Sequence, residues 1–159
     1  MKPRFKRTGL FFVAAVVVLL AGSLGAFRGS AAAALYTGFG LQPEAKKISI
    51  DLGFWLGVGV SVGVALLWSA AMVKCSAEWV ERTVHRARGV VGTGVFFGIL
   101  AGIASTLVLH LGLQIAADIF RPEGLLLGFG VGISAHLLLG LLGGLLWLAA
   151  LPKVPPSEA

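Results

Sequence analysis

The sequence predicts an all-α, polytopic membrane protein: four transmembrane helices in a single membrane domain over residues 1–159, with both termini cytoplasmic. Three observations lead there. Charged residues make up 13% of the chain and apolar residues 57%, with mean hydropathy +0.94, whereas soluble domains carry about 25% charged residues. Four uncharged runs reach the roughly 20 residues that a bilayer-crossing helix needs. Finally, Lys and Arg are unevenly shared between the two sides that such a threading creates.

The N-terminus places Lys2, Arg4, Lys6 and Arg7 ahead of an uncharged run from Thr8 to Phe27. That order also begins a secretory signal peptide, but the apolar core of a signal is only about 7–15 residues. Residues 8–27 are therefore expected as a retained first span. Residues 28–51 follow as an outer loop; Gly29 to Pro43 is uncharged but Gly/Ala-rich, expected to lie at headgroup level with Tyr36 and Phe39 as interfacial aromatics. The second span covers 52–73. Its Gly53/Gly57 and Gly59/Gly63 pairs allow close approach of a neighbouring backbone, and Trp55 and Trp68 are expected near its two interfaces.

Residues 74–88 hold Lys74, Glu78, Glu81, Arg82, His85, Arg86 and Arg88 and read as a charged cytoplasmic linker or an extension of the second helix. Glu78 and Arg82 are four apart in the order that supports a helix. The third and fourth spans, 89–117 and 124–151, both exceed the hydrocarbon thickness and must tilt or project. Between them lies the polar hinge Asp118-Ile-Phe-Arg-Pro-Glu123. With this threading Lys2, Arg4, Lys6, Arg7, Lys74, Arg82, Arg86, Arg88 and Lys153 fall on one side, and Arg28, Lys46, Lys47 and Arg121 on the other. The richer side is expected to be cytoplasmic.

Read in steps of four, the third span gives Gly94, Gly98, Gly102, Thr106, His110, Gln114 and Asp118. The fourth gives Gly124, Gly128, Gly132, His136, Gly140 and Gly144. Such steps trace one slowly drifting helix face, so the glycines are expected to be helix-packing surface, within the bundle or against another subunit. Within the spans the ionisable groups are His110, His136 and, at the boundary, Asp118. His110 and His136 each lie thirteen residues from Glu123, which places them at matching depth if the hairpin turns there.

Several activities lack their residues. The chain has no Asn, and its two aspartates, Asp51 and Asp118, stand outside the motifs of lipoprotein signal peptidases. One cysteine, Cys75, excludes an intramolecular disulfide and paired-thiol redox chemistry. The first span lacks the carboxylate of small multidrug transporters. No phosphate loop is present, and a net charge of +6 beside apolar runs suits lipid headgroups rather than nucleic acid. No catalytic residue and no metal site are expected. The leading expectation is a non-enzymatic structural or accessory subunit of a larger inner-membrane complex, with the bilayer and other membrane subunits or a second copy as partners. A first alternative is a transporter or channel component moving protons or cations along His110, His136, Asp118, Gln114 and Thr106. A second is a b-type haem held by the two histidines.

Overall fold

A computed structural model describes residues 7–37, 43–81, 86–116 and 122–151. Every described element is helical: α1 (Arg7–Thr37), α2 (Pro43–Glu81), α3 (Arg86–Thr106), a π-helical turn (Leu107–Leu111), α4 (Gly112–Ala116) and α5 (Pro122–Ala150). α3, the π turn and α4 form one continuous rod. Four segments are long and apolar enough to cross a membrane: Gly9–Leu35, Ile50–Ser76, Arg86–Ile115 and Pro122–Ala150. Their outward faces are apolar too: Phe12, Leu19, Phe27, Trp55, Leu126 and Leu138 all stand exposed. These are the features of a multi-pass membrane protein.

The helices overrun the boundaries expected from charge. α1 does not end at Phe27; it carries Arg28 inward and continues to Thr37. The run Ala31–Ala34 is strongly helix-favouring, and no proline interrupts it before Pro43. Pro43 and Pro122 instead open α2 and α5, where the missing N–H has no helical partner to lose. The expected outer loop 28–51 is thus largely absorbed into α1 and α2. The expected linker 74–88 is absorbed in part, since α2 runs to Glu81. At 39 residues, α2 is roughly 58 Å long and projects beyond a hydrocarbon core of about 30 Å. Hydroxyls inside the spans are satisfied locally: Ser69, Ser76 and Thr93 each donate to the carbonyl four residues back.

Two helix pairs are packed to backbone contact. A methyl group at Gly25 or Gly57 would overlap the other's carbonyl, and Gly29 and Gly53 are related in the same way. These contacts join α1 to α2. In the second pair Gly94 meets Gly140, Gly98 meets the His136 carbonyl, and Gly102 meets Gly132 and Ile133. That is the close approach small residues permit between membrane helices.

The two pairs then meet side chain to side chain. Toward the termini, Leu10, Val13, Val17, Trp68, Met72, Val90, Trp147 and Leu151 form one buried cluster. Trp68 and Trp147 stack edge to face at 5.4 Å, and Trp147 Nε1 donates to Ser76 Oγ at 3.0 Å. Trp68 is therefore a core residue, not the interfacial anchor its position near the end of an apolar run suggests; Trp55 stays exposed. Toward the opposite end Ala32, Ala33, Leu109 and Leu113 form a smaller cluster. Between the two clusters lies a polar layer.

Candidate functional site

The polar layer is built around Arg28, which is 6% exposed. Its Nη1 donates to Ser105 Oγ at 2.5 Å, and its Nη2 donates to Thr106 Oγ1 at 3.1 Å and to the Gly128 carbonyl at 3.3 Å. Thr106 Oγ1 lies 2.8 Å from the Gly102 carbonyl and 3.0 Å from that of Gly128, so its proton is directed to backbone while its lone pair faces the guanidinium. Ser105 Oγ likewise lies 3.2 Å from Gly102 O. Among the described residues, none of the groups receiving the Arg28 protons is a carboxylate.

His136 completes the layer. Its Nδ1 lies 2.9 Å from the Gly132 carbonyl, its Nε2 lies 3.3 Å from Ser61 Oγ, and Arg28 Nη1 is 3.3 Å from Nδ1. A carbonyl can only accept, and the Gly132 contact is the shorter, so we assign the proton to Nδ1. Nε2 then accepts from the Ser61 hydroxyl, and Arg28 stands beside Nδ1 without bonding to it. Through Arg28, Ser61, Ser105, Thr106 and His136 all four spans meet at one point.

The glycines of α5 have two separate uses here. A methyl group at Gly132 would overlap Arg28 Nη2 and Thr106 Oγ1, and one at Gly128 would overlap the His110 imidazole. These two positions are sockets for polar side chains. Gly140, by contrast, meets the backbone of α3, and Gly144 lies against Val91. Gly124 is half-buried.

The expected matching depth of His110 and His136 is not found. The pairings Gly98–His136, Gly102–Gly132 and Thr106–Gly128 step by four in opposite directions, which centres the hairpin on residue 117 and not on Glu123. His110 lies one turn beyond Thr106, and its ring leans back over the preceding turn onto Gly128, while His136 sits two turns further along α5.

The π turn explains why the stripe of the third span stays buried. Steps of four on an α-helix advance about 40° each, so five steps from Gly94 would carry Gln114 to the opposite face. A π turn accommodates one additional residue, turning the rest of the rod back by roughly 100°. Thr106, His110 and Gln114 consequently remain buried together. Asp118, the last residue of that stripe, lies outside the described residues, as does His85.

A groove of about 260 Å³ opens beside the node, lined by Phe27, Arg28, Ala31, Ala32, Leu35, His110, Leu127, Gly128 and Val131. A smaller cavity of about 30 Å³ lies on the other side of His136, next to Ser61 and Trp68. Among the described residues no three His, Cys, Asp or Glu side chains converge to hold a metal ion.

Sequence reasoning places Thr106 and His136 in the site but assigns Arg28 to the outer loop, and it gives Ser61 and Ser105 no role. The signal for Arg28 is present, since it is the single charged residue between Thr8 and Pro43. No protein-family model matches this chain, and neither a curated protein nor a solved structure is similar enough to count as a match.

Proposed function

We propose that the chain is a small non-enzymatic integral subunit of a larger complex in a bacterial-type inner (plasma) membrane. Its termini lie on the cytoplasmic side, and it associates with a partner membrane helix or a second copy through a glycine face. The observation that carries this reading is a glycine row left open. Gly59 and Gly63 have nothing within 4 Å of an added methyl, whereas the rows containing Gly25, Gly53, Gly94 and Gly98 are closed by the chain's own backbone. Gly59 and Gly63 share an exposed face of α2 with Trp55 and Leu66, the small-next-to-large relief into which a helix packs.

The proposed orientation is supported by the burial of Arg28. Removing it from the outer tally leaves Lys46, Lys47 and Arg121 against nine on the terminal side, a steeper bias under the positive-inside rule.

A proton or cation path along His110, His136, Gln114, Thr106 and Asp118 has less support. A cation passing the node would run beside a fixed guanidinium, a repulsion of about 4 kcal/mol at 4 Å in a medium of effective dielectric 20. A b-type haem is also less well supported, because Gly132 and Ser61 occupy both ring nitrogens of His136.

The test is purification of the full chain from native membranes in mild detergent, beside a Gly59→Leu/Gly63→Leu variant. The proposal expects a stoichiometric partner or a dimer with the parent chain, and loss of that association in a variant of unchanged thermal stability. A parent chain that runs alone as a monomer would sink it.

A further inference from the structure

We propose that the groove beside Arg28 binds the anionic oxygen head of a single-chain membrane amphiphile. The head sits against the guanidinium, and the tail lies along Phe27, Leu35, Leu127 and Val131.

Charge is the first argument. Arg28 is a buried cation whose proton acceptors are Ser105, Thr106 and a backbone carbonyl, which solvate the guanidinium without neutralising it. A charge held in an apolar span is costly unless paired, and an anionic oxygen is the partner that would neutralise it.

Shape is the second. Arg28 forms part of the wall of a groove that exceeds the space of a bound water many times over. Among the described residues its lining apart from Arg28 and His110 is apolar, and Phe27, Leu127 and Val131 stand 74%, 60% and 54% exposed. The groove therefore opens sideways, toward the surface that faces lipid, and its occupant needs an apolar body as well as an anionic head.

Depth is the third. Arg28 precedes Leu35 by seven residues and Gly128 follows Pro122 by six, so the site is about 10 Å from the end of the spans opposite the termini. These spans are 27–30 residues, or about 40–45 Å, against a hydrocarbon core of about 30 Å. The head would lie just inside the hydrocarbon edge, within reach of an amphiphile that stays in its leaflet.

The experiment measures binding to the full-length chain in an uncharged detergent, with palmitate and dodecyl phosphate as probes. Acetate and inorganic phosphate serve as tailless anions, and dodecyltrimethylammonium as a cation with a comparable tail. We expect saturable binding of both tailed anions at one per chain, at least tenfold tighter than either tailless anion or the tailed cation. Arg28→Gln, which keeps hydrogen-bond donors but removes the charge, is expected to weaken palmitate at least tenfold. Ala31→Trp, which fills the groove and leaves the node intact, is expected to do the same in a folded chain. Equal affinity for the tailed cation would overturn the charge assignment, and acetate binding as tightly as palmitate would overturn the tail. Palmitate binding unchanged in Ala31→Trp would overturn the site itself.

Discussion

Substituting Gly132 by alanine adds one methyl group, and its consequences are expected to be large. That methyl would overlap both Arg28 Nη2 and Thr106 Oγ1, two atoms already bonded to each other at 3.1 Å. The overlap falls on the charged end of the side chain that joins the helix pairs, so relief requires the guanidinium to leave its acceptors. Overpacking costs about 1–3 kcal/mol, and losing one hydrogen bond to a charged group costs about 1.5–3 kcal/mol. The two overlap in origin, so the expected destabilisation is about 2–4 kcal/mol. Gly130→Ala is the matched control: it is exposed, with nothing within 4 Å of the added methyl, and is expected to stay within about 0.5 kcal/mol of the parent. The measurement is reversible unfolding of the full chain in mixed micelles, followed by circular dichroism as denaturing detergent is raised. Equal stability of the two variants would refute the claim that Gly132 is a socket for Arg28.

Further outcomes rest on the same geometry. Gly57→Ala sets a methyl against the Gly25 carbonyl and is expected to destabilise by about 1–3 kcal/mol, whereas Gly59→Ala on the open row leaves unfolding unchanged; the same titration checks both. Trp147→Phe removes the bond to Ser76 Oγ while keeping most of the edge-to-face contact with Trp68, and is expected to cost about 1–2 kcal/mol. Ser61→Ala takes the proposed donor from His136 Nε2 and is expected to shift the imidazole nitrogen-15 resonances of that residue; an unmoved Nε2 signal would refute that hydrogen bond.

The spans are legible in the sequence because each is a long uncharged run, and the glycine stripes are legible because four residues nearly complete a helical turn. Helix ends are not, because charge reads as a boundary. Arg28 and the acidic and basic residues after Pro43 fall outside the first two spans on that reading, yet neither breaks a helix; only the backbone chemistry of proline does so reliably. The node is half legible. Thr106 and His136 are polar residues on a stripe, and a stripe is visible in one helix at a time. Arg28, Ser61 and Ser105 belong to it through contacts between helices, and spacing within one segment carries no information about those. The π turn is invisible for a related reason: the unbroken step of four from Gly94 to Gln114 looks regular, while an α-helix would rotate it out of register. In α5, which has no π turn, the buried set shifts instead from steps of four to Gly143, Gly144 and Trp147.

The division into two glycine-locked hairpins bears on how the chain is made. Residues 7–81 contain both partners of the first backbone contact, and residues 86–151 both partners of the second, so each hairpin can zip as it leaves the insertion machinery. Arg28 belongs to the first, but its acceptors among the described residues, Ser105, Thr106 and Gly128, belong to the second. During synthesis it therefore passes through a stage in which its charge lacks these acceptors, at a cost below the roughly 2.5–3.5 kcal/mol of an arginine at a helix centre, since it lies nearer one end of its span. The first span is predicted to ride high in the bilayer at that stage, with Arg28 drawn to the far interface, and to sink when the second hairpin docks. Nascent chains halted before and after residue 86 and probed by a cysteine in place of Leu35 would show it, as a loss of labelling from the far side on completion; constant labelling would contradict it. Folding here includes a vertical movement, for which one arginine is the float.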